Sequence, residues 1–249
     1  MLHAGLVSVT FRKLSPPEIV ALTRRAGLEG IEWGGDVHVP HGDLERARQV
    51  RRLTEEAGLR VASYGSYYRV GHDEPVPFCD VLTTAVELGA PVVRVWAGKV
   101  GSGEADEAYR LKVVHDSRRI AEMSAREGIT VAFEYHGNTL TDTPQSARRL
   151  LKEAAHPNLK SYWQPASARS TAENLEALQH MLPWLCNVHA FWWEGRQRRP
   201  LAEGTDAWSQ FLGVVRGTTR DHWVMLEFVM DDAPEAFLTD AATLREWLR

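Results

Sequence analysis

The stretch from Ile129 to Gly137 reads Ile-Thr-Val-Ala-Phe-Glu-Tyr-His-Gly, with an apolar and β-branched run followed at once by a carboxylate. Such a run is typical of a strand buried on both faces, as in parallel sheets. Because successive side chains of a strand point to opposite faces, Glu134 and His136 should leave this strand on the same side. The carboxyl ends of parallel strands carry the sites of α/β proteins, so the stretch predicts a site at Glu134.

A pattern of helix, glycine and strand recurs on both sides of this stretch. Strands are predicted at residues 2–9, 29–33, 59–64, 91–96, 129–133, 158–163, 185–191 and 223–229. Helices are predicted at residues 15–26, 43–57, 77–88, 104–127, 143–155, 171–181 and 205–215, and a last helix begins at Thr239 and Asp240. This alternation predicts an α/β fold, a (β/α)8 TIM barrel that forms a single domain over residues 1–249. An open doubly wound sheet is the alternative.

Composition limits the class of protein. The chain has 249 residues, 44% hydrophobic and 25% charged, which is enough for one large core. Its formal net charge of -4 shows no basic excess, so we expect no nucleic-acid partner. No apolar run approaches the ~20 residues that span a bilayer, and the first residues do not resemble a signal peptide. We therefore expect no membrane association and no export.

The cysteine content points to a compartment. Cys79 and Cys186 are the only cysteines, and they lie far apart without a CxxC spacing. This argues against a disulfide framework and against a thiolate zinc site. A reducing cytoplasm fits, and we predict a cytoplasmic location.

Four strands in a row end in side chains that can bind a cation. They are Glu134, Gln164, His189 and Glu227. Taken singly, each has a structural explanation, such as an ion pair between a buried glutamate and Arg94. Taken together at corresponding depths, they favour a divalent ion, because two buried carboxylates close together need a counter-charge.

Several motifs carry a resemblance to a known family. They are residues 27–32 (Gly-Leu-Glu-Gly-Ile-Glu), 88–95 (Leu-Gly-Ala-Pro-Val-Val-Arg-Val), 133–134, 157–164 (Pro-Asn-Leu-Lys-Ser-Tyr-Trp-Gln), 188–189 and 200–208 (Pro-Leu-Ala-Glu-Gly-Thr-Asp-Ala-Trp). With these motifs the chain resembles the xylose isomerase-like TIM barrels over nearly its whole length. That group includes sugar isomerases, ketose 3-epimerases, inosose dehydratases, 3-dehydroshikimate dehydratases and apurinic endonucleases.

The resemblance implies a metal site. In sugar-acting members a Glu, an Asp, a His and a second Glu hold one divalent metal, and both glutamates move protons. Glu134, His189 and Glu227 match three of these places, while Gln164 stands where Asp is usual and Ser167 where a further His is common. An amide oxygen is still a competent hard ligand, so the four are expected to bind Mn²⁺, Mg²⁺ or Co²⁺, with Zn²⁺ as an alternative. Glu134 and Glu227 are the expected catalytic residues.

Residues near the predicted metal ligands limit the class of substrate. The endonuclease branch uses extra metal ligands, and the third and fourth strands here end in Tyr-Gly-Ser and Trp-Ala-Gly, which supply none. DNA repair is therefore not expected. The predicted substrate contacts are Trp33, Trp96, His136, Arg196 and Glu32, since aromatic faces suit sugar C–H groups and arginine suits oxygen anions.

Three hypotheses follow. The leading one is a metal-dependent isomerase or epimerase of a sugar or cyclitol that works by proton transfer next to a carbonyl. The second is a lyase that dehydrates a keto-polyol or keto-acid, of the inosose or 3-dehydroshikimate dehydratase type, and the third is a barrel that binds sugar without turnover. The expected partner is a small carbohydrate, and a homodimer is left open.

Overall fold

A computed structural model describes residues 1–249, and its strands form a closed parallel barrel. The strands are β1 (Leu2–Val7), β2 (Gly30–Gly34), β3 (Arg60–Arg69), β4 (Val92–Trp96), β5 (Thr130–Phe133), β6 (Leu159–Trp163), β7 (Leu185–Ala190), β8 (Trp192–Glu194), β9 (Gln197–Arg199) and β10 (His222–Leu226). Eight of them close in the order β1-β10-β7-β6-β5-β4-β3-β2, and β8 pairs only with β9. The predicted (β/α)8 TIM barrel is confirmed.

Eight helices surround the strands. They are α1 (Pro16–Arg25), α2 (Leu44–Glu56), α3 (Phe78–Leu88), α4 (Glu107–Arg126), α5 (Pro144–Ala154), α6 (Thr171–Met181), α7 (Thr205–Arg216) and α8 (Pro234–Leu248). Local chemistry sets their ends: Ser15 and Glu18 form a capping box at α1, and the Asp106 side chain accepts from the Tyr109 N–H at α4.

The last helix was predicted to begin too late. Instead of starting at Thr239 and Asp240, α8 starts at Pro234, whose fixed φ and missing N–H suit the first turn of a helix. The Asp240 carboxylate therefore lies inside the helix and accepts a hydrogen bond from the Leu201 N–H at 2.8 Å. This bond anchors Leu201, in the turn between β9 and α7, to α8.

Strand β3 is longer than predicted. It continues past Tyr64 to Arg69, and after a shift of register Arg69 pairs with Trp96 at the end of β4. Tyr67 within this extension has a φ of 58°, which is rare for a residue other than glycine. The extension brings Tyr67 and Arg69 to the carboxyl rim of the barrel.

Alternation along the strands separates two cores. The larger lies between strands and helices and includes Phe133, while a smaller cluster with Ala132, Tyr162 and Met225 fills the barrel. At the amino end the Trp223 ring takes the remaining space, and a Cβ on Gly30 would lie 2.5 Å from it. Apolar side chains therefore fill the amino end of the barrel, and the polar side chains of the strands lie at its carboxyl end.

Two predicted exclusions concern membranes and disulfides. None of the helices combines the length and the apolar character needed to cross a membrane. Cys79 and Cys186 both carry free thiols. The cytoplasmic location stays a prediction.

Candidate active site

Three of the four predicted ligands meet at the carboxyl end of the barrel. His189 lies in β7, and Gln164 and Glu227 directly follow β6 and β10. The His189 Nδ1 atom lies 3.1 Å from Gln164 Oε1 and 3.3 Å from Glu227 Oε2. The adjacent parallel strands therefore bring one nitrogen and two oxygens to a common point.

The fourth predicted ligand, Glu134, has its own partners. Its Oε2 atom forms an ion pair with Arg94 Nη1 and accepts a hydrogen bond from the Trp96 indole N–H at 2.5 Å. Both donors come from β4, the strand next to β5. Since both act on Oε2, the second oxygen of Glu134 is left for another partner.

Glu32 connects these two groups. Its Oε1 atom accepts a hydrogen bond from Arg94 Nε at 2.7 Å and lies 3.4 Å from His189 Nε2. Its Oε2 atom accepts from the Ser63 hydroxyl at 2.7 Å. Glu32 has no exposed surface, so the structure places it beneath Arg94 and His189 and not among the side chains open to a substrate.

The electrostatics follow from this arrangement. Burial alone would raise the pKa of Glu32, but Arg94 and His189 outweigh burial and lower it. Burial alone would lower the pKa of His189, yet Glu227 and Glu32 raise it to about 10. Negative and positive groups thus alternate from Glu134 through Arg94, Glu32 and His189 to Glu227.

The buried charges do not balance without a further cation. Glu32, Glu134 and Glu227 are buried carboxylates, and Arg94 is the one buried guanidinium beside them. Without a metal, a proton on His189 offsets one of the two excess negative charges. A metal-binding histidine must be neutral, so with His189 as a ligand both charges remain, and burial strongly disfavours uncompensated charge. A divalent cation would compensate both charges.

The donor set fits such a cation. Metal bonds of ~2.1 Å in octahedral geometry place neighbouring ligand atoms ~3.0 Å apart, close to the spacings around His189 Nδ1. Glu227 Oε2 and His189 Nε2 are buried without a hydrogen-bond partner. Glu32 faces His189 Nε2, as carboxylates face metal-binding histidines. The structure contains no group of three or more His, Cys, Asp and Glu side chains arranged to hold a metal. In this site the third donor is the amide of Gln164, and Glu134 faces Arg94.

A substitution at Gln164 tests this fit. Gln164→Asp adds a negative charge at the ligand position and should raise Mn²⁺ affinity by roughly tenfold or more, while Gln164→Leu should lower it by a similar factor. Calorimetric titration with Mn²⁺ measures both variants. Equal affinities in wild type and both variants would remove Gln164 from the ligands.

His136 and Trp96 lie together beside Glu134. Their rings stack with centroids 4.6 Å apart and planes at 19°. His136 is half-buried, and its Nδ1 atom lies 2.7 Å from the Gly137 carbonyl oxygen, which it bonds as a donor. Its Nε2 atom forms no hydrogen bond within the protein, and its ring lies against Trp96, whose indole N–H donates to Glu134.

Two other predicted contacts are not brought to the site. Trp33 follows Glu32 in β2 and so faces the helices, where its buried indole N–H donates to Thr54 of α2 at 3.2 Å. Arg196 is exposed in the turn between β8 and β9, with Gly195 before it at a φ of 60°. Alternation explains the first placement, and the unpredicted hairpin explains the second.

Sequence reasoning missed Tyr67. The Arg94 guanidinium carbon lies 4.9 Å from the centre of its ring, and burial raises the pKa of Tyr67 to about 12, although Arg94 acts in the opposite direction. Gly65 leaves the room for Arg94, since a Cβ there would lie 2.6 Å from Nη2. Extending the alternation beyond Tyr64 would have placed residues 65, 67 and 69 on one face.

A groove of about 1030 Å³ lies away from these residues, between the loop after β3 and helix α4. Its lining includes Phe78, Leu111 and Met123, and it contains none of the buried carboxylates described above. Reaction chemistry therefore points to the barrel mouth, where charged groups converge.

Comparisons with known proteins agree with the barrel fold described above. Residues 20–249 match the family described as xylose isomerase-like TIM barrel. A 3-dehydroshikimate dehydratase from Bacillus anthracis is 25% identical, over 96% of this chain and 95% of the relative.

Solved structures share the architecture. A probable 3-DHS dehydratase from Bacillus anthracis, described as involved in petrobactin synthesis, is 23% identical with a TM-score of 0.81, covering 98% of this chain and 99% of that one. A 3-keto-D-glucoside 4-epimerase from E. coli is 17% identical with a TM-score of 0.75, covering 99% and 100%. At these identities the likeness shows the fold alone. From the family match over residues 20–249, the chain belongs to the xylose isomerase-like TIM barrel family.

Proposed function

We propose that this chain removes a proton from the carbon next to a carbonyl in a polyhydroxylated substrate and then expels a β-hydroxyl group as water. The observation that carries the proposal is a carboxylate, Glu134, held by Arg94 and Trp96 beside the donors of Gln164, His189 and Glu227. The dehydratase that is 25% identical over 95% of its length supports water loss as the outcome.

Each residue has a defined part in this proposal. Gln164, His189 and Glu227 would hold a divalent cation, with the free oxygen of Glu134 as a further ligand or as the base. When bound, the cation supplies Lewis-acid polarisation of the substrate carbonyl. Arg94 and Trp96 fix one oxygen of Glu134, which orients the other for the proton. Glu32 positions Arg94 and His189.

The proposed bond changes balance without a redox partner. Glu134 takes the proton, and the C–H electron pair becomes part of a carbon–carbon double bond while the carbonyl oxygen takes negative charge. When the carbonyl re-forms, the double bond moves to the neighbouring carbon and the β-hydroxyl leaves with its bonding pair. Glu227 gives a proton to that hydroxyl, which departs as water. Glu134 then loses its proton to solvent and Glu227 regains one, so the net change is the loss of one water molecule.

Epimerisation is the second candidate. Glu134 and Glu227 follow β5 and β10, which β6 and β7 separate in the barrel. A proton removed by one carboxylate could be returned by the other to the opposite face of the same carbon, which inverts its configuration. The first step is the same as in dehydration.

Product analysis separates the candidates. We expect Mn²⁺-loaded protein to convert 3-dehydroshikimate, in a panel with ketoses and keto-inositols, to an unsaturated product with loss of water, as read by proton NMR. Chelator should abolish the reaction and Mn²⁺ should restore it. A new stereoisomer without loss of water would favour the epimerase, and saturable binding of a substrate without any product would favour a non-catalytic barrel.

A further inference from the structure

Arg69 is a cation at the rim of the barrel with almost no internal partners. It ends β3, is half-buried, and donates only one long hydrogen bond, from Nη1 to the Gly98 carbonyl oxygen at 3.5 Å. No carboxylate lies within ion-pair distance of it. Since a guanidinium carries five N–H donors, most of those of Arg69 are available to a ligand.

Three other arginines of the strand-end loops are, by contrast, paired with carboxylates. The side chains of Arg12 and Arg199 pair with Asp36 at 2.6 Å and with Glu203 at 2.9 Å. Arg198 forms an ion pair with Asp232. Arg69 therefore keeps its positive charge uncompensated at a partly buried position, where a bound anion would be stabilised most.

The position of Arg69 relates it to the proposed reaction. Its guanidinium carbon lies 4.1 Å from the centre of the Trp96 ring, whose N–H donates to Glu134. Stacking on the indole fixes the plane of the guanidinium, which pre-organises a two-point contact with a carboxylate. One indole thus links an anion-binding group to the proposed base.

We propose that the substrate of this site carries a carboxylate and that Arg69 binds it. The inference rests on the function proposed above and adds the class of substrate, a keto-acid in place of a neutral sugar or cyclitol. Arg69 is then a specificity-determining residue, because a neutral substrate would leave its partly desolvated donors without a partner.

The test compares 3-dehydroshikimate with its uncharged methyl ester in wild type and Arg69→Met. Wild type should prefer the acid, and Arg69→Met should raise KM for the acid by about 10- to 100-fold while leaving the ester nearly unchanged. Arg69→Lys keeps the charge without the planar fork and should fall between them. Lys99→Met, which removes an exposed charge on the same rim, is the control and should keep the preference of wild type.

Other outcomes would overturn the inference. If Arg69→Met raises KM equally for the acid and the ester, Arg69 only supports the Trp96 ring and does not bind a carboxylate. Faster turnover of a neutral keto-inositol than of the acid by wild type would refute the carboxylate while keeping the proposed function. Without turnover of any compound, the proposed function fails, and calorimetric binding of the acid decides separately: equal affinity in wild type and Arg69→Met, or no binding to wild type, refutes the role of Arg69.

Discussion

Glu134→Gln and Glu227→Gln should each lower turnover by about 10²–10⁴-fold, the range expected for lost acid–base catalysis. An amide keeps the size of the side chain and one oxygen, but it cannot accept the substrate proton. Substrate affinity should change much less, so the loss should be seen in kcat more than in KM. Steady-state kinetics with the substrate identified by NMR measures both parameters.

The control for these variants is Glu104→Gln. Glu104 is exposed in the loop between β4 and α4, away from the buried carboxylates, and its replacement should leave kcat unchanged. Turnover within tenfold of wild type in both Glu134→Gln and Glu227→Gln would show that neither carboxylate moves the proton.

Arg94→Met should produce the largest loss of stability. Arg94 and Glu32 are both fully buried or nearly so, and removing the guanidinium leaves Glu32 and Glu134 without their shared counter-charge. Breaking such a buried pair costs about 3–5 kcal/mol in the free energy of unfolding. Urea unfolding followed by circular dichroism would measure this loss.

A double-mutant cycle shows whether the charge is the cause. Adding Glu32→Gln to Arg94→Met removes one of the stranded carboxylates and should recover part of the stability. If the free energy of unfolding of Arg94→Met lies within about 1 kcal/mol of wild type, the Arg94 network does not stabilise the barrel in the way described.

The sequence alone predicted the barrel, and it predicted which strand ends bring several site residues together. The apolar run ending at Glu134 predicted a buried strand with an inward carboxylate, and the structure places Glu134 at the end of β5 facing Arg94. Gln164, His189 and Glu227 meet as their strand positions predicted. These predictions succeeded because alternation along a parallel strand fixes which face a side chain takes.

The partners of these side chains could not be predicted in the same way. Alternation places Arg94 inside the barrel, but it does not say whether its guanidinium reaches Glu32, Glu134 or both, because side-chain torsions decide that. The same rule would have placed Trp33 outside, since it follows the inward Glu32. Trp33 was chosen as a substrate contact because it is aromatic, without regard to its position in the strand.

Backbone irregularity explains the remaining differences. The left-handed conformation of Tyr67 lets β3 continue to the rim, and no glycine signals it. Residues 192–199 form a hairpin around Gly195, so Arg196 lies at an exposed tip and Arg198 contacts the Val229 carbonyl oxygen instead. Both features depend on tertiary contacts that local propensity does not contain.

The central claim is that the reaction breaks the C–H bond next to the substrate carbonyl and passes its proton to the protein. The direct measurement uses substrate deuterated at that carbon, with mass spectrometry of the product and NMR of the solvent. We expect deuterium to appear in water as fast as product forms, for dehydration and for epimerisation alike. Product that forms with the deuterium retained, moved to a neighbouring carbon, would indicate a hydride shift and would contradict the assignment of Glu134 and Glu227 as proton carriers.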